Sequence, residues 1–378
     1  MARPPRPPAR SPAAAPAAAR PTSLADVANL AGVSTGTVSR ALSRPGMISD
    51  ATRMRVLAAA DRLGYVANGS ARALALRRTL TVGAIVPRYG SSSFPTMVQG
   101  LESALAAEGY TLLLSAPAHE AAREPAILRT LLERGVDAVA LLGAEQPPQT
   151  FAILSAHRIP FVMMWALHSR DGDCIGFDES AAAACVIDHL SSLGHRSIGF
   201  IGGHTADNER ARNRYRGIVE AVARRGMSLC KGASVETDYG FRQGFEAMQQ
   251  ILRAGAPVSA ILCGNDYLAA GALSALDRAR IEVPRQLSIA SFNDNEFAAY
   301  LHPPLTTVRL PISGIGQQAG RHLIARLRGR QPPAPAPLPV TLIVRESTGL
   351  AAGPASARTS TPPARRGAPK RGSRNADA

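Results

Sequence analysis

Cysteine is scarce in this chain of 378 residues. Cys174, Cys185, Cys230 and Cys263 stand far apart with no Cys-x-x-Cys pair, which excludes a disulfide framework and a zinc-finger spacing and fits a reducing compartment. Lysine is rarer still, at two residues against 41 arginines, so nearly all positive charge is carried by guanidinium groups. No run of about 18 apolar residues occurs, so no membrane span and no membrane partner is expected. The opening "MARPPRPPARSPAAAPAAAR" is positive, but proline interrupts every apolar stretch and leaves no signal-peptide core; the expected location is the cytoplasm. Gly-x-Ser-x-Gly, His-Glu-x-x-His, a Walker loop and a dinucleotide fingerprint are all missing, and the eight histidines are scattered. His189 and His195 read as structural. No enzymatic activity, metal or cofactor is expected.

What is present is an uneven charge. The net charge of +15 includes +5 in residues 24–79, whereas the far larger segment 80–350 carries only +1. A compact basic module beside a near-neutral body points to a polyanionic partner for the module alone. Residues 1–21 and 351–378 are low-complexity tails rich in Pro, Ala and Arg, too poor in apolar surface to offset chain entropy. Their charge is either a solvated face or a weak non-specific aid to DNA binding.

Residues 22–66 carry the punctuation of three short helices. Ser23 with Asp26 makes a capping-box start for "LADVANLA", whose Leu24, Val27, Ala28 and Leu30 share a side and which Gly32 ends. Ser34 caps "TGTVSRALS", with Val38, Ala41 and Leu42 inward and Thr35, Gly36, Ser39 and Arg40 outward. Pro45 and Gly46 break the chain, then Ser49 or Asp50 caps a third helix with Met54, Leu57, Ala58 and Leu63 inward. Helix, tight turn, helix and a bracing helix is the helix-turn-helix arrangement. The outward residues of the second helix are small, hydroxylic or cationic. They pack poorly but allow close approach to base edges and phosphates, with Arg40 long enough for a bidentate contact to guanine.

The stretch from Leu24 to Leu74, "LADVANLAGVSTGTVSRALSRPGMISDATRMRVLAAADRLGYVANGSARAL", resembles the DNA-binding headpiece of the LacI/GalR family of bacterial transcription regulators. The resemblance implies that Ser34, Thr35, Gly36, Thr37, Ser39 and Arg40 face double-stranded operator DNA. It also implies a hinge helix within residues 67–79, from about Asn68 to Ala75, that enters the minor groove, where Leu74 wedges between base steps and Arg72 lies near the backbone. Two departures bear on this. Gly36 has no side chain, so reading shifts to Thr35, Arg40 and their neighbours. Ala67 stands where many members carry Pro, and Gly69 costs the hinge helix about 1 kcal/mol relative to Ala.

From residue 80 apolar runs alternate with helical patterns: "LTVGAIV", "TLLLS", "VDAVALL", "PFVMM", "SIGFIG", "SAILC" and "LSIASF". Such spacing indicates parallel α/β units in two successive sets. Residues 80–350 also resemble the family's effector-binding and dimerisation domain, with a lobe break near Gly176 and crossings back near 303 and 337. The expected fold is therefore an all-α helix-turn-helix headpiece joined to a two-lobed α/β domain like the periplasmic binding proteins.

Ligands of open parallel sheets collect beyond the carboxyl ends of the strands. Those positions hold Tyr89 to Phe94, Trp165, "GGH", "GNDY" and "NDNE", a polar pocket with aromatic walls. Phe94 and Trp165 suit ring stacking, and Asn265 and Asn293 suit forked hydrogen bonds to vicinal hydroxyls, whereas Asp266 and Asp294 read as turn or cap residues. In "NERARNRYRGIVEAVARRG", Tyr215, Ile218, Val219 and Val222 form the expected buried stripe, and Arg212 sits one turn earlier near the positive end of the helix dipole. By resemblance, the Arg at this place in an R-x-R-x-x-G pattern contacts the effector. A solute-binding protein has no use for the headpiece, and a purely architectural DNA binder leaves the pocket unexplained. The reading is a homodimeric repressor that answers to a sugar, sugar acid or related metabolite, with the helix near Ser93 to Glu108 as the implied dimer contact. The tail after Leu350 contains no Leu, Ile or Val, so no tetramerising heptad is expected.

Overall fold

Hydrogen bonds at the helix starts follow the sequence closely. In the computed structural model, which describes residues 20, 22–43, 45–66, 73, 78–86, 93–116 and 123–351, α1 (Leu24–Ala31) begins with the full Ser23–Asp26 capping box and ends at Gly32 in the left-handed region, φ 63°. Ser34 Oγ accepts the Thr37 N–H at 3.2 Å to start α2 (Thr35–Ser43). A 3-10 turn, Pro45–Met47, follows, and Ser49 rather than Asp50 caps α3 (Asp50–Arg62). Val27, Ala28, Val38, Ala41, Val56 and Ala59 form the small core of this unit.

Two inward faces differ from the expected ones. Ala31 replaces Leu30 inside α1, and in α3 the buried residues are Val56, Ala59 and Ala60, while Met54, Leu57 and Ala58 face solvent. Alanines recur all along α3, so its apolar pattern has no single phase; contact with α1 and α2 selects the side with the smallest residues. Ala67, Asn68, Gly69, Arg72 and Leu74 of the expected hinge lie outside the described residues.

The chain divides at Thr79/Leu80 into this unit and a second one. The second unit begins with β1 (Thr81–Ile85), α4 (Phe94–Ala106), β2 (Thr111–Ser115), α5 (Glu124–Glu133), β3 (Ala138–Leu142), α6 (Pro148–Ala156), β4 (Phe161–Met164) and β5 (Cys174–Ile175). These strands make one parallel sheet in the order β2-β1-β3-β4-β5. There follow α7 (Glu179–Ser192), β6 (Ser197–Gly202), α8 (Glu209–Arg224), β7 (Ser228–Glu236), α9 (Phe241–Ala254), β8 (Ala260–Cys263), α10 (Asp266–Arg278), β9 (Ser288–Asn293), β10 (Thr306–Arg309), α11 (Ile312–Leu327) and β11 (Thr341–Ile343). Their sheet runs β11-β10-β9-β8-β6-β7, parallel except for the β10–β11 pair. Both sheets reverse direction of growth beside their first strand, so each lobe carries its own switch point.

Strand β7 escaped the sequence reading because it is an edge strand, half polar, without an apolar run. The last strand of the first sheet ends at Ile175 and the first strand of the second begins at Ser197; between them the Gly176 carbonyl accepts the Leu338 N–H at 2.9 Å, and an added Cβ there would sit 2.6 Å from the Ala166 carbonyl oxygen. The second crossing comes after Arg309 rather than near 303, because Thr306–Arg309 still pairs with β9. Helix α11 then returns to the first lobe and packs on α4 through Gly100, Gly316 and Gly320, where the two backbones touch and a Cβ would overlap its neighbour. One continuous core joins Val82 and Met97 to Phe177, Ile198 and Phe292, so the lobes share buried packing beneath the cleft between them.

Candidate functional site

The outward face of α2 is as open as its composition demands. Ser34, Thr35, Gly36, Ser39 and Arg40 are exposed and Thr37 is half-buried, while Val38 and Ala41 are buried beneath them. Ser34 and Thr37 are tied to each other, their hydroxyls 3.0 Å apart. An added Cβ on Gly36 would meet nothing closer than Arg40 Nη2 and Ser34 Oγ at 3.8 Å, so helix packing does not require the glycine.

The cleft is built from strand ends of both lobes. Trp165, after β4, is held in the left-handed region at φ 60° and lies nearly perpendicular to Phe94, ring centroids 5.9 Å apart, with Phe177 at 5.7 Å on another side. Trp165 Nε1 donates to Glu179 Oε1 of the second lobe at 3.2 Å. Glu179 also receives a two-pronged contact from Arg214, Nε at 2.9 Å and Nη2 at 3.1 Å, while Arg214 Nη1 donates to the Gly264 carbonyl at 2.6 Å and the guanidinium covers the Phe292 ring at 4.7 Å. Burial alone would pull the Arg214 guanidinium down; the Glu179 carboxylate carries it the other way, above its ordinary value.

Arg212 is oriented differently from its expected role. It reaches out of the helix start, donating to the Thr205 carbonyl at 2.8 Å and pairing with Glu145, and its side chain keeps 37% of its surface exposed. Residues two apart on a helix are about 200° apart around the axis, so Arg212 and Arg214 take opposite sides. Arg210, Arg214, Gly217 and Ala221 form the side toward the cleft and core, and Val219, expected inside, is 42% exposed.

Asn293 is buried with φ 110°; its Nδ2 donates to Ser93 Oγ at 2.9 Å, which joins β9 to the start of α4, and its Oδ1 has no partner among the described residues. Asn265 Oδ1 is engaged as the N-cap of α10, accepting the Leu268 N–H at 2.9 Å. Asp266, expected as a turn or cap residue, leaves the cap to Asn265 and instead cross-links elements, accepting from Ser291, Thr307 and both nitrogens of Asn295. Asp294 pairs with Arg309 and Arg345 at 2.7 Å each. His195, likewise structural, bridges Ser259 and the Gly349 carbonyl. Tyr89 lies outside the described residues.

Four cleft residues were not foreseen. Tyr239 stands beyond β7 with its ring so close to Gly203 that a Cβ there would lie 2.6 Å away; burial pushes its phenol up, against the pull of Arg214. Glu209 spans the lobes, Arg210 sits over Phe94 at 5.6 Å, and Glu124 opens α5 with its carboxyl pushed up to about 7 by burial, Arg210 working against the rise. The i, i+4 spacing of Arg210 and Arg214 was the one available signal for the arginines; Tyr239 had none once β7 went unread. No group of three or more His, Cys, Asp or Glu side chains among the described residues is placed to hold a metal ion.

A helix-turn-helix unit in one chain with a two-lobed body, its cleft lined by polar and aromatic strand-end residues, defines a DNA-binding transcription regulator with an effector domain. The chain belongs to the LacI family of bacterial regulatory proteins. The family model for bacterial regulatory proteins, lacI family, matches residues 23–68, and a periplasmic binding protein-like domain matches residues 187–348. The ribose operon repressor of Escherichia coli (strain K12) is 33% identical over 307 residues, covering 81% of this chain and 93% of that protein. The HTH-type transcriptional repressor CytR of Escherichia coli (strain K12) is 32% identical over 310 residues, with 82% and 90% coverage. Among solved structures, the lac repressor dimer bound to operator and the anti-inducer ONPF superposes with a TM-score of 0.78 at 26% identity, covering 87% of this chain and all of that one. The transcriptional regulator CelR–cellobiose complex gives 0.63 at 30% identity, again with 87% of this chain covered. These relatives are transcription regulators, and no helix among the described residues is long and apolar enough to cross a membrane.

Proposed function

We propose that this protein is a cytoplasmic, homodimeric repressor, without enzymatic activity, whose affinity for operator DNA is set by a small metabolite bound between the lobes. The observation that carries the reading is the cleft itself. Trp165, packed on Phe94 in one lobe, bonds to Glu179 of the other, which holds Arg214 in the field of Tyr239, while Asn293 bonds to Ser93 beside Phe94 and keeps its buried Oδ1 without a donor among the described residues. The sugar-class assignment draws on the ribose operon repressor and the cellobiose complex of the relatives.

In this reading Ser34, Thr35, Gly36, Thr37, Ser39 and Arg40 face the major groove, and Asn68, Arg72 and Leu74 serve the hinge. Residues 22–66, 67–79 and 80–350 act as headpiece, hinge and effector domain. Phe94, Trp165, Asn265 and Asn293 line the ligand, with Arg214 in the role first given to Arg212. The outer face of α4, where Thr96, Gln99, Glu102 and Ser103 are exposed, is the dimer contact. Ligand closure shifts one lobe against the other, and that shift decides whether paired hinges fit the minor groove.

The test is linkage. Footprinting on promoter DNA from the source genome should locate a pseudo-palindromic site, and a ligand that alters the fluorescence of Trp165 should alter affinity for that site over the same concentrations. Two saturation curves with unrelated midpoints would break the assignment.

A further inference from the structure

Arg210 has the environment of a guanidinium without hydrogen-bond acceptors. It is the second residue of α8, where a cation opposes the helix dipole, and burial lowers the pKa of its guanidinium. Its guanidinium lies over the Phe94 ring at 5.6 Å, but no hydrogen bond or ion pair joins it to any described residue. A planar group with five donors is held between two lobes over a ring face; Glu209, Tyr239, Glu179 and Glu124 act on it through space, but none accepts a hydrogen bond from it, an arrangement that costs stability unless something completes it.

The acidic residues around it are committed elsewhere. Glu179 is taken by Arg214 and Trp165, and Glu145 by Arg212. One oxygen of Glu209 accepts two backbone N–H groups, from Ala144 and Glu145, and Asp266 is satisfied by four donors. Glu124 remains, but burial pushes its carboxyl up to about 7, and its Oε2 is itself buried without a partner among the described residues. Asn293 Oδ1 is a second buried acceptor without a donor, on a residue 8% exposed and bonded to Ser93, which adjoins Phe94. Arg210 over Phe94, Glu124 within its field and Asn293 bonded to the residue before Phe94 bring a cation without acceptors and two acceptors without donors into one neighbourhood, the negative image of a molecule with an acidic group and several hydroxyls.

We propose that the effector of this protein is a polyhydroxylated anion whose carboxylate or phosphate is bound by Arg210, while its hydroxyls donate to Asn293 and Glu124. The inference rests on the effector cleft proposed above and narrows it from sugars in general to acidic ones.

Inorganic phosphate is the first probe, added to the full-length protein at constant ionic strength and followed by thermal unfolding. A saturable rise in midpoint is expected in the wild type. In Arg210→Gln the apparent affinity should fall about tenfold or more, the worth of a charge-assisted hydrogen bond. Arg216→Gln, an exposed arginine on the same helix, should keep it, and Arg210→Lys, which retains charge but not the fork, should fall between. An unchanged response in Arg210→Gln would assign phosphate to the headpiece and overturn the proposal, as would no response in the wild type. D-gluconate, glucose 6-phosphate and D-glucose then separate the two acids. The tighter acid names the group, and glucose binding as well as both overturns the inference. Operator binding is scored separately. Its absence removes the repressor reading, whereas operator release by a ligand indifferent to Arg210→Gln removes only the anion.

Discussion

Glu209 Oε2 accepts the Ala144 N–H at 2.8 Å, a carboxylate of the second lobe seated on the backbone of the first. The Glu145 N–H adds a bond at 3.0 Å, and Gly143, at φ 82°, leaves no Cβ where the carboxylate lies. A bond to a charged acceptor contributes about 1.5–3 kcal/mol. Glu209→Ala should therefore speed hydrogen exchange at the Ala144 and Glu145 amides by roughly tenfold or more, leaving the β8 amides unchanged. Equal exchange in both proteins would show that the lobes stay closed without this contact.

Arg214 and Glu179 are both nearly buried, their side chains 6% and 11% exposed. Removing one partner strands the other, so Arg214→Ala should cost about 3–5 kcal/mol in urea unfolding and abolish the effector response of Trp165, whose indole N–H rests on Glu179. Pairing Arg214→Met with Glu179→Leu should recover most of the stability and none of the response. Arg212→Ala, at the exposed pair with Glu145, should cost less than about 1 kcal/mol. Similar losses at 212 and 214 would contradict the orientation of α8.

Gly36 separates stability from recognition. Because its Cβ position is open, Gly36→Ala should raise headpiece stability by up to about 1 kcal/mol while weakening operator binding, since the new methyl projects from the exposed face. Arg40→Ala, by contrast, should leave stability alone and weaken specific binding by roughly 1–3 kcal/mol. Thermal melts and anisotropy titrations on one operator check both; a Gly36→Ala protein with unchanged DNA affinity would place the α2 surface away from the groove.

Glu124 gives the protein a pH signature. Its carboxyl is raised from 4.5 to about 7 by burial, with Arg210 opposing. The folded state holds this proton more tightly than the unfolded chain, so its contribution is complete below about pH 4.5 and is lost as pH rises through about 7. The urea midpoint of the wild type should fall between about pH 5 and pH 8 by more than that of Glu124→Gln, in which this titration is gone. Parallel curves for the two proteins would show that the carboxyl is solvated.

Local rules determined most of the architecture in advance. Caps at Ser23, Ser34 and Ser49, the stop at Gly32 and seven apolar runs each depend on residues a few positions apart, so the headpiece helices, seven of the strands and the family resemblance were legible from the chain alone. The strand-end rule likewise singled out Trp165 and Asn293 as candidates. Tertiary packing decided what periodicity leaves open, namely which way each element faces. Helix α3 turned Val56 rather than Met54 inward because alanines offer several phases, and α8 turned Arg210 and Arg214 rather than Arg212 toward the cleft because nothing in an arginine-rich turn marks its inner side. Tyr239 became a cleft residue only when β7 found an edge to pair with, and Glu209 met Ala144 only across a gap of 65 residues in sequence. Contacts between distant segments depend on the relative placement of two lobes, a property of the whole packed body that no window of sequence contains.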